Sequence, residues 1–443
     1  NIGDLMSLII PANSLSGGYD VDNSCRFDGS GAYMSKTPGS NGDAQKFTTS
    51  IWFKRGILGR DIRWFEMGDI MLYSGTNIIG FANRAFGFDV YTNSNFLMDV
   101  AAWYHVVWAV DTTQSTAANR VKIYVNGVLL TASNGLHADT SYMDQNANLE
   151  CNQQEVHRVG AVSTTAASFF DGYMSEFVHI DGAQLAPTSF GEFDEDSEIW
   201  KPISVSGLTF GTNGFYLNFK DSANLGNDAN GGTDLTETGL AAIDQSTDTC
   251  TNNFATLNPL APINGGSPST LPTFSEGNLQ ATVGDGTARF STATIATAMP
   301  YYFEVKIIAI SASDSGQRIG VLGEQGISSS SVWYAQYFAD GDIIAAGEST
   351  VSEASWGVND IIGVAVDLAT NNSVKFYKNG TLQTTMAVGA TYQDLRTSPL
   401  LRIINATNTF QFNFGSPSFA ISSGNTDGNG YGNFEYAVPS GYY

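Results

Sequence analysis

Charge is scarce in this chain of 443 residues: Asp, Glu, Lys and Arg make up only 14% of it, with 20 basic residues against 43 acidic ones. The resulting formal charge of −23 repels phosphate backbones and leaves no basic stripe to follow one, so nucleic acid is excluded as a partner. Cysteine is nearly missing. Cys25, Cys151 and Cys250 are odd in number and far apart, with no C-x-x-C pair, which implies neither a disulfide framework nor zinc or redox work. No apolar run approaches about 18 residues, and LMSLII at 5–10 is too short for a span or a whole signal peptide. A soluble chain without membrane insertion is expected. It begins at Asn1 without Met and stops at SGYY, which suggests processing or trimming. The sequence also lacks G-x-S-x-G, a Walker loop and H-E-x-x-H, so no nucleophile, nucleotide cradle or zinc site is nominated. No enzyme and no cofactor are expected.

Long segments with an apolar stripe at helical spacing are absent as well. What is present is Gly (47 residues) with modest Pro (12), many Ser, Thr and Asn, and β-branched and aromatic residues in short runs. Strands joined by many turns are the result, and the length requires two or three cores. The fold class is all-β. One signal occurs twice: HVVWAVD (105–111) precedes VKIYVNG (121–127), and IIGVAVDLA (361–369) precedes VKFYKNG (374–380). Each is an apolar strand closed by Asp, followed by an alternating strand that ends at Asn-Gly, the dipeptide that suits a tight hairpin. Apolar residues on both faces of WYHVVWAVD place it mid-sheet, covered on both sides.

These signals divide the chain into an N-terminal segment (1–20), a first block (21–190), a connector (191–273), a second block (274–415) and a C-terminal extension (416–443). In the first block the order FDG, SIWFKR, WYHVVWAVD, KIYVNG, FFDGYMSEFVHIDGAQL resembles the laminin-G-like members of the concanavalin A-like lectin and glucanase superfamily. In the second, YYFEVKI, NDIIGVAVDL and VKFYKNG resemble a SPRY domain. Both resemblances imply antiparallel, jelly-roll-like β-sandwiches, the first often glycan-binding and sometimes with calcium, the second mostly a protein-binding scaffold. The connector has too little apolar periodicity for a core and reads as irregular apart from a short strand at GFYLNF. Taken with FGEFD, WKP, GTNGFYLNF and NNFATLNP, the whole chain resembles virion proteins of tailed bacteriophages.

The sharpest chemical string is GEFDEDSEIW. In an extended strand Glu192, Asp194, Asp196 and Glu198 share one face at about 6.5 Å between neighbours, near the spacing of glycosidase carboxylate pairs. Jelly-roll glucanases of glycoside hydrolase family 16 carry E-x-D-x-E on a buried strand. Here Asp196 stands where the second Glu belongs, and Glu195 and Ser197 put polar groups on the opposite face. A solvated acidic turn, or a calcium-holding loop at Asp194 and Asp196, accounts for the string better. Asp111 closes a strand before a turn, where capping competes with calcium binding. The four histidines, His105, His137, His157 and His179, show no metal spacing and read as structural. Trp333, Tyr334 and Tyr337 follow a Ser-rich run and are the candidates for stacking on a sugar ring, against the alternative of cross-strand core pairing.

The expected role is therefore that of a phage virion structural protein, a tail fibre or other appendage on the particle surface, with a host-surface glycan as ligand. The resemblance implies self-association, commonly as a homotrimer, and contact with other virion proteins. A polysaccharide depolymerase and a purely structural capsid or fibre component are the alternatives.

Overall fold

The computed structural model describes residues 18–75, 77–83, 87–93, 97–138, 140–162, 168–259, 263–264, 272–283, 286–289, 295–296, 299–310, 316–323, 333–345, 348–368, 370–388, 396–403 and 408–443. They form two compact units that divide between Asn253 and Phe254. Both are all-β, each built on two antiparallel sheets.

In the first unit one sheet runs, edge to edge, through Val128–Leu129, Val121–Val125, Trp103–Asp111, Lys46–Arg55, Asp171–Asp181, Ser24–Asp28 and Gln245–Ser246. The other runs through Thr236–Thr238, Tyr33–Lys36, His157–Val159, Ile62–Met67, Ile70–Ser74, Gly80–Asn83 and Phe88–Tyr91. Strand alternation, interrupted by a bulge between Arg63 and Phe65 that lets the consecutive Trp64 and Phe65 both face inward, sends Phe53, Val106, Trp108, Ile123 and Met174 of the first sheet against Trp64, Phe65, Leu72, Phe81 and Val90 of the second. Trp64 sits at the centre, 4.9 Å from the Phe53 ring and 5.6 Å from Trp108. Val107 and Ala109 point the other way, under Phe190, Val205 and Phe210, so the central strand is covered on both sides.

The segment 191–273, expected as an irregular connector, is for the most part a piece of this sandwich. Phe215–Leu217 pairs with Phe177–His179, Thr236–Thr238 with Tyr33–Ser35, and Gln245–Ser246 with Ser24–Cys25. Phe215, Leu217, Phe219, Leu225 and Leu235 are buried in the core. Its apolar residues arrive in ones and twos between turns, too sparse for a periodic signal. A bulge between Ser175 and Val178 re-aims the long strand and gives Phe215–Leu217 its place.

In the second unit one sheet runs Ile263–Asn264, Gly286–Arg289, Arg396–Ile403, Arg318–Gly323, Trp333–Phe338, Asp342–Ala345, Val351–Ser352, with Ile295–Ala296 also on Arg396–Ile403. The facing sheet runs Thr273–Ser275, Gln280–Val283, Asn408–Asn413, Tyr301–Ala309, Ile361–Asp367, Ser373–Lys378, Thr381–Ala387. Phe303, Val305, Ile319, Tyr337, Trp356, Ile362, Phe376 and Phe412 fill the core.

The repeated hairpin is one device used twice. Asn126 and Gly127 have φ of 46° and 79°, Asn379 and Gly380 of 48° and 77°, so both turns take two left-handed residues. Asn126 donates its backbone N–H to the His105 carbonyl at 2.9 Å and accepts the His105 N–H on its side chain at 2.8 Å. Asn379 does the same to Ile361, at 2.9 Å in each case. Asn is thus required for a side-chain contact as well as for its backbone conformation.

If Phe215–Leu217 is a core strand, Leu217→Ala lowers the stability of the first unit by about 2–5 kcal/mol. Urea unfolding followed by tryptophan fluorescence measures it; a change within about 0.5 kcal/mol, as for a surface linker, contradicts the assignment.

Candidate functional site

The residues nominated from sequence are dispersed. Tyr337 is fully buried, because alternation along Trp333–Phe338 turns Ala335 and Tyr337 inward. Its ring lies 5.7 Å from Phe376 and 6.4 Å from Trp356, and its hydroxyl donates to the Ala354 carbonyl. It is a core residue and not part of an exposed sugar-stacking patch. The side chains of Trp333 and Tyr334 lie outside the described residues. Asp111 accepts from Thr113 N and Oγ1 at 2.9 and 2.6 Å and from Gln114 Nε2 at 2.7 Å. Burial works against its ionisation, yet these bonds hold its carboxyl below the usual range. It is a turn cap.

The acidic string does not stay extended. It folds as a turn between Gly191–Phe193 and Trp200–Pro202, with Glu198 at φ 58°, so the four carboxylates do not share a strand face. Asp194 accepts from Lys201 Nζ at 3.0 Å and from Ser197 N and Oγ at 3.0 and 2.9 Å, and Lys201 above all holds it well below the usual carboxylate range. Asp196 is exposed, its N–H donating to Asp194 at 3.2 Å. Among the described residues no group of three or more His, Cys, Asp or Glu converges to hold a metal ion.

The two outer faces of the first sandwich differ. The face beyond Trp103–Asp111 carries Trp52, Lys54, Trp103, His105, Tyr173 and Glu176, a set suited to sugars, but the unit's own chain occupies it. The imidazole of His105 is stacked on Trp52 and Trp200, at 4.7 and 5.9 Å. Since the Trp200 indole can only donate, its 2.9 Å contact makes Nδ1 an acceptor, and Nε2–H donates to Ser50 at 2.8 Å. Lys54 is held by Asp248 at 2.8 Å and Asn253 at 2.9 Å, and Trp103 Nε1 donates to Asp248 at 2.9 Å. Glu176 stands in the bulge at φ 47°, accepting from Tyr216 Oη at 2.7 Å and Tyr19 Oη at 3.2 Å. Burial pushes its carboxyl up to about 7, against those hydrogen bonds.

The opposite face, beyond Ile62–Met67, is half-open. Register places Ser35, Arg158, Glu66, Met71, Ala82 and Asp89 in one row and Arg63, Tyr73, Gly80 and Tyr91 in the next. The Tyr73 ring lies flat over Gly80, where an added Cβ would stand 2.4 Å from it. Tyr73 Oη donates to both oxygens of Asp89, at 2.9 and 2.8 Å, and Arg63 stands 5.3 Å over the ring. Tyr91 and His137 stack at 4.7 Å with 17° between their planes, and Tyr33 and Phe169 at 6.3 Å. All four of these rings, with Tyr73, Asp89 and Arg158, are half-buried. Flat aromatic surface beside a carboxylate and guanidinium groups is what packs on pyranose C–H faces and fixes their hydroxyls. The sequence shows the alternation of RWFEM, MLYS and FDVY but not which strands lie side by side, so the rows were not legible.

Three histidines are sealed in. His179 bonds Thr49 Oγ1 at 2.9 Å and Asn152 Oδ1 at 2.7 Å, while neither ring nitrogen of the fully buried His157 finds a partner among the described residues. Burial pushes His105 and His157 down to about 3 and His179 well below its ordinary value.

With this geometry established, comparison with known families places the second unit. Residues 300–417 match the SPRY domain family, and the second unit carries that domain. Among solved structures, the SPRY domain of human HERC1 is similar at 17% identity and a TM-score of 0.29, over 35% of this chain and 96% of that one. The PSpry domain of TRIM65 is similar at 12% identity and 0.26, over 36% and 88%. A candidate carbohydrate-binding protein of Bacteroides ovatus is similar at 15% identity and 0.35, over 50% of this chain and 61% of that one. No curated protein matches the chain.

The buried histidines set a pH dependence. Each is neutral in the fold and titrates near 6.5 when unfolded, so below about pH 6.5 the unfolded chain binds more protons and stability falls with acidification, by up to about 1.4 kcal/mol per pH unit per histidine. Glu176 acts oppositely: its raised folded value adds stability that is complete below about 4.5 and lost as pH rises through about 7. Three against one leaves a net fall of up to about 2.8 kcal/mol per unit between pH 6 and 5, steeper in Glu176→Gln. Urea midpoints across pH give the slope. Proton NMR is the direct check: the ring signals of these three histidines stay fixed from pH 8 to 5, and movement of all three with ordinary titration curves refutes the assignment.

Proposed function

We propose that this chain is a non-enzymatic protein of the tailed-bacteriophage virion, displayed on the particle surface as a tail fibre or other appendage. Its first sandwich binds a host-surface glycan, and the SPRY unit contacts other virion proteins. The phage reading is supported by the resemblance carried by FGEFD, WKP, GTNGFYLNF and NNFATLNP. The observation that carries glycan binding is the half-open face of Tyr73, Asp89, Tyr91 and His137. Self-association, as a homotrimer, follows from the same resemblance, and the charge of −23 argues against nucleic acid. No described helix is long and apolar enough to cross a membrane.

One observation favours a depolymerase as the second reading: Glu176 carries its proton near neutral pH, as a general acid does. Its carboxyl is buried against two tyrosine hydroxyls of its own chain, which supports a structural role instead.

The test is retention on a panel of bacterial surface polysaccharides, with and without a calcium chelator, while newly released reducing ends are assayed. The expected outcome is retention without release, weakened about tenfold or more in a Tyr91→Ala, His137→Ala double variant. Sensitivity to the chelator assigns a calcium-held site. Release of ends establishes the depolymerase, and neither retention nor release leaves the sandwiches as architecture.

A further inference from the structure

The outer face of the Tyr301–Ala309 sheet is closed by residues 433–443, and the way it is closed is that of a peptide in its receptor. Glu304 is fully buried on this face, where Tyr302 Oη of its own strand donates to it at 3.3 Å and the covering segment supplies main-chain donors. One carboxylate oxygen accepts the Tyr436 N–H at 2.9 Å, and the other accepts the Glu435 N–H and Asn413 Nδ2, each at 3.0 Å. Asn413 Nδ2 also donates to the Asn433 carbonyl at 3.0 Å. At the far end Tyr302 N donates to the Tyr443 carbonyl at 2.9 Å, and Tyr443 N donates to the Pro300 carbonyl at 3.1 Å. The segment is therefore gripped mostly by its main chain, at both ends. Two aromatic anchors add the apolar part. Phe434 meets Tyr302 edge-on at 5.4 Å, and Tyr442 lies under the Lys375 ammonium at 5.0 Å. Both anchors are buried with Tyr302 and Ala365. Main-chain hydrogen bonds for affinity with spaced side-chain pockets for selectivity is a recurrent mode of peptide recognition.

The link that delivers this segment is of another kind. Residues 424–432 include Gly424, Gly428, Gly430 and Gly432, and the Asp427–Tyr431 turn is exposed, closed on itself by Asp427 accepting from Asn429 N at 2.8 Å and Tyr431 N at 2.9 Å. Ahead of the turn Asn425 exchanges main-chain hydrogen bonds with Phe434 at 2.9 and 2.7 Å, and Ser422 and Ser423 donate to Glu435, so these residues belong to the receiving side and the hinge is the exposed turn itself. With the face uncovered Glu304 keeps Asn413 Nδ2 and Tyr302 Oη from its own sheet but loses the Glu435 and Tyr436 N–H donors, so a segment that returns those two main-chain donors is favoured. The identical segment of a second copy satisfies every contact just described, and exchanging an identical element between copies is a low-cost route to association.

We propose that residues 433–443 are an exchangeable arm, and that the Glu304 face accepts the arm of a second copy of this chain in place of its own. At high local copy number the intramolecular arm and its neighbours' arms compete, with the tether setting the effective concentration of the former. This holds whether or not the first sandwich binds a glycan.

The test uses the full chain with a sequence-specific protease site inserted between Gly430 and Tyr431 and cut after folding. The expected result is that the released segment stays bound in gel filtration, yet is replaced by an excess of fluorescent peptide of residues 431–443 in a saturable anisotropy titration. Phe434→Ala in the peptide, or Glu304→Gln in the body, weakens that uptake about tenfold or more. In parallel, two intact copies with different affinity tags, mixed at high concentration, co-purify, and do so less when the peptide is present. A cut chain that keeps its segment for days without exchange makes the segment an integral strand and overturns the proposal. So does a cut chain that loses the segment, keeps its circular-dichroism spectrum and takes up no peptide, or one in which the Glu304→Gln body binds as tightly as the original.

Discussion

Val107 and Ala109 point away from the core of the first sandwich while Val106, Trp108 and Val110 point into it, and a central strand that is apolar on both faces has no face to give to water. Much else in the first unit follows from that constraint. Phe190, Val205 and Phe210 must lie over the strand, which brings residues 183–216 across the sheet and returns Phe215–Leu217 to its bulged neighbour. The same cover brings Trp200 onto His105, while Asp248 and Asn253 close over Lys54. Side chains of the kind that would line a sugar cleft become internal links.

The second unit meets the same need on the Tyr301–Ala309 sheet, but with a polar group at the centre of the covered face. Apolar cover is interchangeable, because dispersion and burial have little direction. A buried carboxylate is directional: it fixes which backbone groups must come to Glu304 and where. In the first unit the cover is woven into the sheet by strand pairing; in the second it rests on the face through its main chain and two rings.

Ionisable groups inside the first sandwich mark how completely it excludes water. Three imidazoles are kept neutral and one carboxyl keeps its proton near pH 7, in each case chiefly by burial. The half-open face of the other sheet offers the contrast. There Asp89, Arg158, Tyr91 and His137 are half-buried, with Asp89 bonded by Tyr73 and Arg158 paired with Glu66 at 2.9 Å.

Periodicity of two, Asn-Gly turns and the shortage of helical stripes determined from sequence alone that this chain is all-β, that Trp103–Asp111 lies mid-sheet, and that the hairpins at 126 and 379 share one geometry. These are local properties, set by backbone conformations and by which face of a strand is apolar. The reading of 191–273 as a connector failed because Phe215, Leu217 and Leu235 are buried one at a time by strands remote in sequence. For Tyr337 the sequence left an exposed sugar-stacking patch and cross-strand core pairing as alternatives, and its place in the paired sheet decides for the core. The Tyr73 and Tyr91 rows, the bulge that holds Glu176 and the closure over Glu304 were decided by tertiary structure. Each depends on which strands lie side by side, a relation between distant segments that no local pattern encodes.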